Sequence, residues 1–419
     1  MCGICGFTGY RQDQKTVIER MMKAIEHRGP DSEGSFCREK ITLGFRRLSI
    51  IDLEDGQQPM ESADGNLHIV FNGEIYDYKE LRAELEAFGI SFCTHSDTEV
   101  LINTIQQYGE KALDKLRGMF GFAVWNEKEQ TLMLARDFFG IKPVYYAEID
   151  GHFVFASEIK SILAFPGYER KVNQKALEQY LSFQYAPLEE TFFKGIYKLM
   201  PGHMLLYKNG NYEIKTYFKT KLTPGKWNRK TNMDQLRSQL AEILKDSVKH
   251  HMLSDVEVGA FLSGGVDSGY LASASGADQA FTVGFDEGDR YSEVNKAAKV
   301  AEKAGLKHHV KIISKQEFWD ALPDVMYHMD EPLGDASAVA LYFLSKEAAG
   351  HVKVVLSGEG ADELFGGYNI YREPEALKKV AWIPFVLRRA VRKLAAKLPD
   401  VKGRDFLIRA GMKVEERFI

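Results

Sequence analysis

The chain opens Met1-Cys2-Gly3-Ile4-Cys5-Gly6, with a thiol one residue from the amino terminus. Removal of Met1, which a small residue such as cysteine permits, makes Cys2 the new terminus. One residue then carries nucleophile and base together, because a free α-amino group titrates at about 7.7–8.0 and can relay a proton beside the thiol. Cys2-x-x-Cys5 also has the spacing of half a zinc site or of a redox pair. A zinc site needs a second close pair of ligands, and Cys37 and Cys93 stand alone. A redox pair is expected beside a βαβ pattern, not at a terminus. The catalytic reading of Cys2 is the one carried forward.

Three stretches of the first half could surround that thiol. Arg46-Arg47-Leu48-Ser49-Ile50-Ile51-Asp52 ends a strand with a basic pair, and an arginine takes a carboxylate bidentately. Phe71-Asn72-Gly73-Glu74 follows a strand predicted over His68 to Phe71. The Asn72 amide and the Gly73 N–H would make an oxyanion hole for a tetrahedral intermediate. Ser96-Asp97-Thr98-Glu99 caps a helix, with Asp97 readable as its N-cap.

The second half carries different chemistry. Leu262-Ser263-Gly264-Gly265-Val266-Asp267-Ser268 follows a predicted strand and opens a helix. Its glycines allow close backbone approach, the helix start favours an anion, and Asp267 offers an oxygen ligand for Mg2+. It reads as a phosphate cradle without the Walker lysine. Leu356-Ser357-Gly358-Glu359-Gly360-Ala361-Asp362-Glu363 again follows a buried strand. Its three carboxylates repel unless a cation or a positively charged substrate lies among them. Asp330-Glu331-Pro332-Leu333-Gly334-Asp335 is a third acidic loop with a weaker claim.

The elements that must position these residues differ between the halves. Up to about residue 210 the segments are short, aromatic and turn-punctuated. Strands are predicted over Gly118–Trp125, Thr131–Ala135, Val144–Ala147 and Phe153–Ala156, with helices over Val17–Ile25, Tyr78–Phe88 and Thr98–Tyr108. Sheets covered by helices follow, and Asn209-Gly210 predicts a hairpin. Residues 219–232, KTKLTPGKWNRKTN, are polar and aperiodic and mark a linker. Helix and strand then alternate: Met233–His251, Val256–Leu262, Val266–Ser275, Ala280–Phe285, Ser292–Gly305, His308–Ile313 and a later strand Val352–Leu356. That is a doubly wound α/β domain with a mostly parallel sheet, and its ligands belong at the carboxyl ends of the strands.

At 419 residues, two cores of about 200 residues each are expected. A net charge of −4 gives no electrostatic argument for nucleic acid or an anionic membrane as partner. Four irregularly spaced cysteines fit a reducing cytoplasm, and neither an export signal nor a spanning segment is indicated.

Taken in order, Met1-Cys2-Gly3-Ile4, His27-Arg28-Gly29-Pro30-Asp31, Arg47 to Asp52, Asn72-Gly73-Glu74-Ile75-Tyr76, Ser96 to Glu99 and Arg136-Asp137 through Gly140-Ile141-Lys142-Pro143 resemble the class II, N-terminal-nucleophile glutamine amidotransferases. With Ser263 to Ser268 and Ser357 to Glu363 added, the order resembles glutamine-hydrolysing asparagine synthetase of the bacterial type, over essentially the whole chain. The resemblance implies an Ntn-hydrolase sandwich over 2–215, a linker over 216–232 and an ATP-pyrophosphatase domain over 233–419.

It also implies roles. Cys2 attacks the glutamine amide, Asn72 and Gly73 stabilise the oxyanion, and Arg47 to Ile51 with Glu74 and Asp97 bind glutamine. Leu262 to Ser268, Val283, Ser357 and Gly358 bind ATP, Asp267 and Asp362 hold Mg2+, and Glu359 acts near a β-aspartyl-AMP intermediate. Ammonia travels between the sites through an internal tunnel. Small-molecule substrates are the expected partners, with a homodimer as candidate assembly. His27 reads as structural. Family members continue for roughly two hundred residues beyond Ile419, so the synthetase part is expected to be incomplete, and the basic stretch Val380–Leu398 is expected to be a surface helix short of a packing partner. Two other readings stay open: amidation of a different carboxylate, and a glutaminase or nucleotide-binding module without synthetase activity.

Overall fold

The computed structural model describes residues 1–221, 232–286, 293–413 and 415–417. Most of the expected linker, 222–231, lies outside them, as does Ser292 at the expected start of a helix. The chain divides into two compact units, Met1–Leu356 and Ser357–Ile419.

The first twelve strands of the larger unit are β1 (Gly3–Thr8), β2 (Ser32–Cys37), β3 (Ile41–Arg47), β4 (Met60–Glu61), β5 (Leu67–Ile75) and β6 (Gly118–Asn126), then β7 (Thr131–Arg136), β8 (Tyr145–Ile149), β9 (His152–Ala156), β10 (Ile196–Lys198), β11 (His203–Lys208) and β12 (Asn211–Thr216). They form two antiparallel six-stranded sheets, in the orders β10-β8-β9-β1-β3-β2 and β12-β11-β7-β6-β5-β4. Period-two alternation explains the layers. In β1, Ile4 packs in the core between the sheets, whereas Cys5 and Phe7 pack beneath the helix Gln14–Ala24. In β5, Val70 enters the inter-sheet core, whereas Ile69, Phe71 and Ile75 pack beneath the helices Tyr78–Ala87 and Asp97–Tyr108. The result is helix, sheet, sheet, helix. The expected hairpin is present: Lys208 pairs with Asn211, and Asn209 and Gly210 both take positive φ, 51° and 79°.

The remaining strands, β13 (Val258–Phe261), β14 (Gln279–Phe285), β15 (Lys307–Ile313) and β16 (Val354–Leu356), form a parallel sheet ordered β15-β14-β13-β16. The strand order reverses at β13, which makes its carboxyl end the switch point where such sheets bind ligands.

Two expectations are corrected. The strand predicted over His68–Phe71 runs on to Ile75, so Asn72, Gly73 and Glu74 lie within β5. A Cβ on Gly73 would come within 2.2 Å of Met119 O, so glycine is what lets β5 stay paired with β6 there. The stretch Val380–Leu398 is not one helix. Ile383 precedes Pro384, which disfavours helical backbone, and the helix starts anew at Phe385–Ala395. In the smaller unit that helix packs on Arg404–Ala410, with Arg388 Nη1 donating to Ala410 O at 3.1 Å, and it leaves Val386, Leu387 and Leu394 exposed.

Candidate active site

Cys2 lies two residues before Ile4 and so on the same side of β1, against the inter-sheet core. Cys5 faces the other way. Burial pushes its thiol up to about 12, and all four cysteines are free, so Cys2 and Cys5 form no pair. Leu48 N–H donates to Cys2 Sγ at 3.4 Å, and Arg28 Nε donates to Cys2 O at 2.9 Å. Burial pushes the Cys2 thiol up, and the Leu48 N–H pulls it back.

The same alternation turns Asn72 and Glu74 toward the inter-sheet side. Asn72 is 1% exposed, and its Nδ2 has no hydrogen-bond partner. On the free edge of β5, Phe71 N–H donates to Gln58 Oε1 at 2.6 Å and Ile75 N–H to Asp97 Oδ2 at 3.1 Å. Gly73 N–H points out of that edge between them, because its opposite residue Phe120 turns its own N–H and C=O toward Asp137. Asn72 and Gly73 border one cleft with Cys2. Two unspent donors bordering the same cleft as a thiol are what a developing oxyanion needs.

That cleft holds about 50 Å3 of free volume, and Met1 lines it with its Sδ against Lys142 Nζ. The amino terminus is buried, which brings its ammonium down to about 5. A neutral amine beside a thiol is a competent proton acceptor. Here it belongs to Met1.

Arg47, the last residue of β3, donates to Leu53 O at 3.2 Å, to Ile51 O at 3.5 Å and to Asp52 O. It thereby folds the 48–56 loop against the cleft. Leu48, Ile50 and Ile51 line the cleft. Ser49 does not: its N–H donates to Asp31 Oδ2 at 2.9 Å, and Asp31 also takes Lys353 Nζ at 2.7 Å. Ser96, not Asp97, caps the following helix, accepting from Thr98 N at 3.1 Å. Asp97 is thus free of capping duty and is pushed up to about 7 by burial. Burial also raises Glu74 and lowers its neighbour Lys142. Buried carboxyls held near half-ionisation would ionise fully beside a cation, which suits a substrate ammonium.

Two residues of this site were given no role from sequence. Lys142 sits in the cleft because Asp137 accepts from Ile141 N at 3.0 Å and Lys142 N at 2.8 Å, fixing the turn before it. Gln58 bridges the Phe71 N–H to Thr98 Oγ1, to which its Nε2 donates at 3.1 Å. The Arg136 to Pro143 stretch signalled the first; nothing signalled the second. His27 Nε2 lies 3.1 Å from Glu158 Oε1, which also takes Arg28 Nη1 at 2.8 Å, in keeping with a structural role.

At the switch point, Leu262 is buried, with its N–H on Phe281 O at 2.9 Å; Ser263, Gly264 and Gly265 link β13 to the helix Val266–Ser275, whose first turn carries Val266, Asp267 and Ser268. Ser263 and Ser268 bond through their hydroxyls at 2.9 Å. Gly264 has φ +79°, and a Cβ there would come within 2.8 Å of Lys296 Cβ. No side chain caps the helix, so its first N–H groups remain available, and Asp267 is exposed. The arrangement fits a phosphate with a divalent cation beside it. Val283 is half-buried in β14, opposite Lys311.

Ser357, Gly358, Glu359 and Asp362 belong to the smaller unit. Ser357 and Glu359 are exposed, Gly360 has φ +88°, and the helix Ala361–Phe365 begins there. Glu363 accepts from Tyr368 Oη at 2.6 Å, so one of the three clustered carboxylates already has a partner.

The acidic loop at 330–335 has a structural task. Asp330 accepts from Ile159 N at 2.7 Å and pairs with Lys160 at 3.0 Å, while Glu331 accepts from Phe192 N at 2.9 Å. It ties the parallel-sheet part to the sandwich.

Residues 1–218 match the glutamine amidotransferase domain family, and residues 239–412 match the asparagine synthase family. The chain is 44% identical to asparagine synthetase (glutamine-hydrolyzing) 1 of Bacillus subtilis, covering 99% of this chain and 67% of that protein. It is 31% identical to asparagine synthetase (glutamine-hydrolyzing) 3 of the same organism, covering 91% of this chain and 66% of that protein. It is also 32% identical to amidase chry2 of Gibberella zeae, covering 89% of this chain and 60% of that protein. On that likeness over nearly its whole length, the chain belongs to the glutamine-hydrolysing asparagine synthetases.

Proposed function

We propose that the chain makes asparagine from aspartate, with ATP to activate the side-chain carboxyl and glutamine as the nitrogen source. The observation that carries the first half-reaction is the unpartnered, buried Asn72 Nδ2 in the cleft of Cys2. An unpaired buried amide donor forfeits about 1–3 kcal/mol, which a substrate oxygen in the cleft would restore.

In this reading Met1 is removed, which opens the cleft and gives the α-amine to Cys2. Cys2 Sγ attacks the glutamine carboxamide carbon while that amine takes the thiol proton. The carbonyl oxygen becomes an oxyanion between Asn72 Nδ2 and Gly73 N–H. The amine returns the proton to the leaving nitrogen, ammonia departs, and water later cleaves the thioester to glutamate. Asp97 and Glu74 take the substrate ammonium; Arg47 with Leu48, Ile50 and Ile51 takes its carboxylate end.

For the second half-reaction, the Leu262 to Ser268 loop holds the ATP phosphates, with Val283, Ser357 and Gly358 completing the nucleotide site. Asp267 and Asp362 would hold Mg2+, which neutralises pyrophosphate charge. Glu359 acts beside the activated aspartate. The domains assigned are 2–215 and 233–419, joined by 216–232. A cytoplasmic location and a homodimer belong to the same proposal.

The test is to measure ammonia and pyrophosphate release separately, with and without aspartate. Aspartate-dependent pyrophosphate supports the synthetase; ammonia release alone refutes it. Cys2→Ala abolishes glutamine hydrolysis and spares ammonia-dependent synthesis, and an intact-mass measurement shows whether Met1 is gone. The relative named an amidase motivates a second reading, in which a different carboxylate is amidated. Pyrophosphate release by another carboxylic acid and not by aspartate would favour it.

A further inference from the structure

Away from both sites, three metal-ligand side chains meet at the edge of the parallel sheet. His309 comes from β15, Glu347 from the helix Ser337–Ala349, and His351 from just beyond that helix. Each offers a donor atom, and the three lie within 4.8 Å of one another. We propose that His309, Glu347 and His351 bind a divalent transition-metal ion of the zinc class, which clamps edge strand β15 to this helix.

Several features pre-organise the donors. The two imidazole rings have centroids 4.0 Å apart, and both lie against the fully buried ring of Phe281, at 5.0 Å and 5.7 Å. Gln279 Nε2 donates to Glu257 Oε1 at 2.7 Å, so the Gln279 oxygen is the atom turned to His309 Nε2, 2.8 Å away. That oxygen can only accept, so Nε2 carries the hydrogen and Nδ1 keeps its lone pair. An outer partner that fixes the tautomer of a histidine is a hallmark of metal sites. Glu347 Oε1 lies 3.6 Å from His351 Nε2, which sets the third donor beside the second. Zinc bonds of about 2.0–2.2 Å in a tetrahedron put donors roughly 3.4 Å apart. Rotation of the exposed His351 side chain closes the difference. Two nitrogens and one carboxylate oxygen suit zinc and exclude magnesium or calcium, which take oxygen. The fourth position is left to water.

The test uses the full chain, stripped with a chelator and titrated with ZnCl2 alone. We expect one ion per chain with a dissociation constant of about micromolar or tighter, and a higher thermal midpoint with zinc present. His351→Gln and Glu347→Gln each weaken binding at least tenfold. Gln279→Leu, which keeps all three ligands, weakens it by about 10–100-fold. Cobalt(II) in place of zinc gives the visible absorption of a four-coordinate site, lost in His351→Gln. Far-ultraviolet circular dichroism and glutamine hydrolysis of each variant serve as folding controls. Absence of saturable zinc binding, or binding unchanged in both His351→Gln and Glu347→Gln, overturns the proposal.

Discussion

Asn72 and Asp97 are both buried polar groups of the cleft, and burial costs each of them solvation that its partners in the folded chain only partly return. For Asn72 the expected consequence is kinetic. Asn72→Ala removes one oxyanion donor, so glutaminase kcat falls by about 10²–10³-fold, KM moves little, and ammonia-dependent synthesis is untouched. Steady-state kinetics with each nitrogen source check this; a fall confined to KM would deny the oxyanion role. For Asp97 the consequence is a pH dependence of stability. Its carboxyl titrates at 3.8 in the reference state and at about 7 in the folded chain. Between those values the folded state holds the extra proton, so the Asp97 contribution is complete below pH 3.8 and is lost as pH rises through 7. Asp97→Asn keeps an oxygen for the Ile75 N–H and avoids that loss. It therefore stabilises the chain at pH 8, by at most about 4 kcal/mol, leaves it unchanged at pH 4, and raises the KM for glutamine. Urea unfolding at the two pH values decides; an equal effect at both would reject burial of the carboxyl as the cause. Cys2 and Asn72 drew notice in the sequence because their residue types announce chemistry, whereas Asp97 read as an N-cap and was given a binding role only by the family resemblance. Lys142 was marked only by the motif around it and Gln58 by nothing, since a lysine in a turn and a lone glutamine come to the cleft only through Asp137 and the open edge of β5.

At the scale of elements, the strands and helices were legible wherever local chemistry and periodicity agreed. The Asn209-Gly210 hairpin, the helix Met233–His251 and the helix Val266–Ser275 carry their own turn and cap signals. β5 was cut short because Asn72, Gly73 and Glu74 break apolar alternation at the place where the strand lines the cleft instead of packing. The 330–335 loop was read as acidic and open to a ligand, whereas its acids are docking groups. Such a contact joins residues 171 positions apart, and no local pattern reports it. Asp330 lies beside Lys160 and takes two backbone N–H groups at the start of the helix Ile159–Leu163. Asp330→Ala therefore leaves the Ile159 N–H without its acceptor and Lys160 with Glu158 as its remaining carboxylate partner, and should cost about 1–3 kcal/mol. Thermal unfolding, with limited proteolysis of the joint between the two parts, measures it; a loss below about 1 kcal/mol would class the pair as a surface contact.

At the scale of the molecule, contacts run from Cys2 toward the parallel-sheet part. Cys2 O is held by Arg28, Arg28 by Glu158, and Glu158 by Lys160, which also holds Asp330. The two half-reactions are nevertheless proposed to use separate residues, so each should be removable alone. Asp267→Ala is expected to stop ATP-dependent pyrophosphate release while glutamine hydrolysis continues, and Cys2→Ala to do the reverse. Mixing the two variants asks whether ammonia passes inside one chain. In the mixture, ammonia made by Asp267→Ala must cross bulk solvent to reach Cys2→Ala, so asparagine should form only after a lag and should vanish when an enzymatic ammonia scavenger is added. The unmodified chain, if it passes ammonia internally, forms asparagine from glutamine without a lag and with little sensitivity to the scavenger. Equal sensitivity of the mixture and the unmodified chain would show that ammonia escapes to solvent in both, and that the two sites share a polypeptide without sharing a path.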